Sequence, residues 1–81
     1  MTAATVARPA LTTEQVALLA EIAEGRTHAA IGRDRGITRS TVEHRLSVLY
    51  QRIGARNAPH AVAIAIRAGL LPTHHAPEGQ A

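Results

Sequence analysis

The feature that most constrains this chain is its punctuation. Residues suited to open a helix stand at Thr12, Thr27, Thr38 and Asn57, and glycines stand at Gly25, Gly36, Gly54 and Gly69, so that starts and stops alternate. A Thr or Asn side chain accepts a hydrogen bond from an otherwise unpaired amide of the first helical turn. Glycine takes up the left-handed conformation that closes the last turn. The alternation therefore predicts four short helices with tight connections: Thr13 to Glu24, His28 to Arg35, Arg39 to Ile53, and a fourth between Asn57 and Gly69.

The pattern inside each interval agrees. Thr12 and Gln15 have the spacing of a capping box, and Leu11 with Val16 has that of a hydrophobic staple. Leu18, Leu19, Ile22 and Ala23 form the buried stripe of the first helix, with Glu21 and Glu24 facing water. In the second, Ala30, Ile31 and Asp34 fall at helical spacing. In the third, Val42, Leu46, Leu49 and Ile53 make one continuous apolar seam. Pro59 is tolerated in the first turn of the fourth helix, where no amide is needed from it.

Composition points the same way. The chain has 81 residues, enough for one domain, and no cysteine to staple it. Its apolar residues are Ala, Leu, Ile and Val almost throughout, with Tyr50 the single aromatic, which favours helices over strands. The expected plan is all-α: a flexible arm over residues 1–10, a four-helix domain over 11–71, and a flexible tail over 72–81. The middle of that plan, a short helix, a turn centred on Gly36 and a longer helix with a polar outer face, is a helix-turn-helix arrangement.

The positive charge is all arginine and is concentrated. Between Gly25 and Asn57, Arg26, Arg33, Arg35, Arg39, Arg45, Arg52 and Arg56 stand against Asp34 and Glu43, a net of +5, while the remainder of the chain is net −2. A local excess of this kind is the footprint of a polyanion-binding surface. With the seam of the third helix buried, a rotation of about 100° per residue turns Ser40, His44, Ser47 and Gln51 outward, with Glu43 at one edge. Arg45 and Arg52 share a flank with Thr41, placed to hold phosphate oxygens while the outer face enters a major groove. Arg39 stands in the first turn as a further backbone contact or as a surface partner of Glu43. Amides from Thr38 to Thr41 add positive dipole at the helix start.

These residues resemble the DNA-binding domain of LuxR-type regulators, whose minimal form is GerE. The resemblance covers Leu11 to Leu71. It rests on Leu11-Thr12 with Gln15, Glu24-Gly25, Ile31 before Gly36-Ile37-Thr38, and Thr41-Val42 with Leu46 and Tyr50. It continues through Ile53-Gly54-Ala55-Arg56-Asn57, Ala61-Val62, Ala65 and Gly69-Leu70. It implies a four-helix, LuxR/GerE-type helix-turn-helix domain that binds double-stranded DNA through its third helix and acts as a transcription regulator. Carried over by position, base reading falls on Glu43, His44 and Ser47, and backbone contact on Thr27, Thr41, Arg45, Arg52 and Arg56. Ala29 and Glu43 stand where lysine is common, Arg45 where histidine is common, and Arg35 in place of a buried leucine. Arg35 is expected to lay its stem along the core with its head in water, on a surface that also suits a partner protein.

The fourth helix is apolar on more than one face, so Val62, Ile64, Ala65, Ile66 and Ala68 are expected to pair two copies of the chain. The alternative cover for that face is Leu70, Leu71 and the arm. No enzyme, cofactor or small-molecule site is expected in so small a domain. The five histidines, His28, His44, His60, His74 and His75, lack the spacing and carboxylate partner of a metal site. The longest apolar run, Ala61 to Ile66, is too short to span a bilayer, so a cytoplasmic, nucleoid-associated protein is expected. A stand-alone regulator is expected, with control expected to come from its amount, its dimerisation, or contact with RNA polymerase or another regulator. Two further readings stay open: an adaptor that uses the same fold to bind a larger regulator, and a part resembling the promoter-reading end of a sigma factor. The match from Gly54 to Val62 favours the LuxR type over the latter.

Overall fold

The structure, a computed structural model, describes residues 11–72. The expected arm, most of the expected tail, and His74 and His75 lie outside the described residues. Within them the chain is all-α, with α1 Thr13–Ala23, α2 His28–Arg35, α3 Arg39–Ile53 and α4 Ala58–Arg67 in that order.

The caps form as the sequence dictates. Thr12 and Gln15 bond reciprocally: the Gln15 amide donates to Thr12 Oγ1 at 3.0 Å and the Thr12 amide to Gln15 Oε1 at 2.9 Å. Thr27, Thr38 and Asn57 accept from the amides of Ala30, Thr41 and His60 at 3.0, 3.0 and 2.9 Å. Each such bond is worth about 1 kcal/mol, a large fraction of what an isolated two-turn helix lacks. At the other ends Gly36 and Gly54 sit at φ 72° and 73°. That conformation lets the Ile37 amide reach back to the Gly32 carbonyl at 2.9 Å and the Ala55 amide to that of Tyr50 at 2.8 Å. α1 ends one residue earlier than expected, with Glu24 as its cap and Gly25 following in the left-handed region at φ 86°.

Two apolar clusters hold the helices together. Leu18, Ile31, Val42 and Leu46 join α1, α2 and α3. Leu19, Leu49, Ala61, Val62, Ala65 and Leu71 join α1, α3 and α4. Ile22 and Tyr50 pack against both clusters and connect them. Leu71 is buried and Leu70 packs beside it, so the chain beyond α4 folds back over the core.

Two features were not anticipated. Gly32, in mid-α2, lies so close to the following turn that a Cβ there would stand 2.7 Å from the Ile37 carbonyl oxygen. Only a residue without a side chain lets α2 meet that backbone. Second, Glu21 does not face open water as expected: it is the hub of an ion-pair layer over α1 and α2. Arg35 Nη2 and Nε donate to Glu21 Oε2 at 2.6 and 3.2 Å, and Arg35 Nη1 bonds Glu14. Arg26 Nη1 bridges Glu21 Oε1 at 2.8 Å and Asp34 Oδ2 at 2.6 Å. The Arg35 side chain is only 20% exposed, and its head is engaged by carboxylates instead of lying in water. Hydrogen bonding from Arg35, aided by Arg26, holds the Glu21 carboxyl below its ordinary value of 4.5 against the opposing effect of burial.

Gly32→Ala should destabilise the domain by about 1–3 kcal/mol, because backbone on both sides must shift to admit the methyl group. Thermal melting checks this, and an unchanged midpoint would show that the turn is loose. Since the Glu21 carboxyl is lowered by folding, its stabilisation is complete above its unfolded value and is lost as pH falls through the lower folded one. Acid titration of Glu21→Gln should accordingly show a shallower loss of stability below pH 4.5 than the parent chain.

Candidate nucleic-acid interface

α3 has two unlike edges. Val42, Leu46 and Leu49 are buried and Ile53 is half-buried, whereas Ser40, His44, Ser47 and Gln51 are all exposed on the opposite side. The expected rotation of the helix is therefore the one observed. A helix of 15 residues is about 22 Å long, and its outer half is of a size to enter a major groove. The exposed side chains are hydroxyl, imidazole and amide groups, which both donate and accept and so match the mixed pattern of base edges. Val48, on the flank shared by Thr41, Arg45 and Arg52, is 39% exposed and the only large apolar side chain exposed among the described residues. With His44, Arg45 and Leu18 it borders a shallow groove of about 360 Å³ against Thr12, Glu14 and Gln15 at the start of α1.

The helix starts are partly used. Thr38 Oγ1 takes the Thr41 amide and lies 2.9 Å from Thr41 Oγ1. Of the amides expected to be available from Thr38 to Thr41, that of Thr41 is thus already bonded within the turn. The hydroxyl hydrogen of Thr27 remains a donor, since Oγ1 there serves the Ala30 amide only as an acceptor.

The seven arginines of the basic stretch are not equivalent. Arg26, Arg35 and Arg39 pair with carboxylates. Arg33, Arg45 and Arg56 are exposed and pair with no carboxylate among the described residues, and Arg52 is exposed at the far end of α3. Arg56 is presented from a built turn. Its amide donates to His60 Nδ1 at 3.0 Å while the His60 amide donates to Asn57 Oδ1 at 2.9 Å, which leaves the His60 proton on Nε2.

Glu43 is the centre of a second cluster. Its Oε2 accepts from Arg39 Nε at 2.9 Å, one turn away on α3, and lies 3.3 Å from Nδ1 of His28, the first residue of α2. The bond to His28 and the pair with Arg39 keep the Glu43 carboxyl below its ordinary value. His28 was not among the expected site residues. Its contact spans 15 positions of sequence and crosses between helices, so no periodicity could disclose it.

On α4 the expected pairing face is only partly available. Val62 and Ala65 are 3% and 0% exposed within the single chain, closed off by α1, α3 and Leu71. Ile64, Ile66 and Ala68 are half-buried, and Ile64 belongs to neither core cluster. An interface on α4 would thus rest on these three, with Val62 and Ala65 supporting them from behind.

Among the described residues no helix is long and apolar enough to cross a membrane.

The profile of the bacterial regulatory proteins of the luxR family, GerE, matches residues 9–65 of the chain. Over 61 residues the chain is 39% identical to the transcriptional regulatory protein YdfI of Bacillus subtilis (strain 168), covering 75% of this chain and 29% of that protein. Over 54 residues it is 41% identical to the probable transcriptional regulatory protein SgaR of Hyphomicrobium methylovorum, covering 67% of this chain and 26% of that one. The chain thus spans less than a third of the length of these relatives. No solved structure matches it.

Proposed function

Because the chain belongs to the luxR family of bacterial regulatory proteins, we propose that it binds duplex DNA sequence-specifically and regulates transcription, laying α3 in the major groove as one half of a homodimer. The observation that carries this reading is the division of α3 into a seam locked in both core clusters and an outer face of exposed hydrogen-bonding side chains beside arginine. Ser40, His44 and Ser47 face base edges. Glu43 stands at their margin. Thr27, Thr38, Thr41, Arg45, Arg52 and Arg56 meet phosphate and sugar, fixing orientation without reading sequence. Two copies joined through Ile64, Ile66 and Ala68 would read half-sites about one helical turn, roughly 34–36 Å, apart. RNA polymerase or a second regulator is the partner through which bound DNA is acted on.

The adaptor reading draws less support than it does from the sequence alone. It draws on Arg35, Glu43 and the α4 surface, and of these the Arg35 guanidinium is engaged by Glu14 and Glu21.

Duplex binding by the full chain should weaken steeply with salt, by a log–log slope of about −0.9 for every phosphate neutralised. Arg45→Ala should lower affinity about equally for all sequences and flatten that slope by about one phosphate. Selection from a random duplex pool should return a consensus for the parent chain, relaxed at one position in His44→Ala. Absence of binding to any duplex at low ionic strength would refute the reading and leave the adaptor in its place.

A further inference from the structure

Glu43 is the only carboxylate on α3, and it stands at the edge of the face that carries Ser40, His44 and Ser47. A negative charge there is unfavourable wherever the helix approaches a phosphate backbone. It also takes up Arg39, a cation that otherwise lies free to meet a phosphate. Both known contacts go to one oxygen: Oε2 faces Arg39 and His28, while no described group donates to Oε1. The carboxylate is thereby tied down from two helices on one side and left with an open acceptor on the other, at 44% side-chain exposure.

Resting on the DNA-binding reading above, we propose that Glu43, tethered by Arg39 and His28, determines specificity by suppressing sequence-blind binding. Non-specific complexes draw essentially all their affinity from phosphate contacts. In such a complex Glu43 removes one contributing cation and adds one repelling anion, with nothing to offset either. Where the groove presents an exocyclic amine, as cytosine N4 does, Oε1 accepts from it and the repulsion is offset. The discrimination therefore comes largely from raising the energy of wrong complexes. The tether matters because an exposed pair four residues apart is weak by itself. His28, reaching from α2, restrains the same carboxylate from a second direction.

The test needs no operator. Binding of the full chain to a duplex of mixed random sequence is measured from 50 to 200 mM salt for the parent, Glu43→Gln, and Glu43→Gln with Arg39→Ala. Glu43→Gln should bind this probe about five- to tenfold more tightly at the lowest salt, with a log–log slope steeper by about one phosphate as Arg39 is released. Adding Arg39→Ala should return the slope to that of the parent. Melting curves verify folding, and Glu43→Ala serves as the second variant should the glutamine chain be unstable. If the parent binds and both Glu43 variants match it in affinity and slope, this inference is overturned while the DNA-binding reading stands. If the parent binds no duplex, both fall together.

Discussion

Leu46 and Leu49 are neighbours on α3, yet they belong to different halves of the core. Leu46 packs with Leu18, Ile31 and Val42, and Leu49 with Leu19, Ala61, Val62, Ala65 and Leu71. α1 divides in the same manner between Leu18 and Leu19. α1 and α3 are thus a common spine, with α2 on one side and α4 on the other. α3 cannot roll about its axis without opening both clusters. Losing even one such leucine contact costs about 2–5 kcal/mol, against a total stability of about 5–15 kcal/mol for a small domain. This double anchorage directs Ser40, His44 and Ser47 outward, onto the face proposed to meet base edges.

The turn between α2 and α3 serves that anchorage. Ile37 packs against the first cluster while its amide bonds the Gly32 carbonyl, and its own carbonyl occupies the space a side chain at Gly32 would need. The ion-pair layer of Glu14, Glu21, Arg26, Asp34 and Arg35 then fastens α2 to α1 from outside. The leucine that the luxR-family resemblance leads one to expect at position 35 is thereby replaced by a charged clasp with its own carboxylate partners. Part of the basic stretch accordingly serves the fold, and part remains on the surface proposed to meet DNA.

Much of the architecture was legible because it is written in local interactions. The caps at Thr12, Thr27, Thr38 and Asn57 and the seam of α3 each depend on residues within one or two turns, and all form as expected. The outward set on α3 follows from the same helical geometry. Other expectations yielded to packing. Val62 and Ala65, expected between subunits, are enclosed within the chain, because Leu70 and Leu71 return over the core and one apolar stripe cannot say which partner covers it. Glu21, expected in water, is reached by Arg35 from 14 positions away, and Glu43 by His28 from 15.

The linear order of residues determined where helices begin and end, which edge of each is apolar, and that the positive charge gathers around the second and third. These are short-range properties, since capping and amphipathicity act within a few residues of chain. The three-dimensional packing decided which arginines are engaged by carboxylates, which side of α4 stays accessible, and that the glycine inside α2 stands where a side chain would meet backbone. Such outcomes depend on distances between helices, and a spacing along the chain carries no information about them until the core has set the helices side by side.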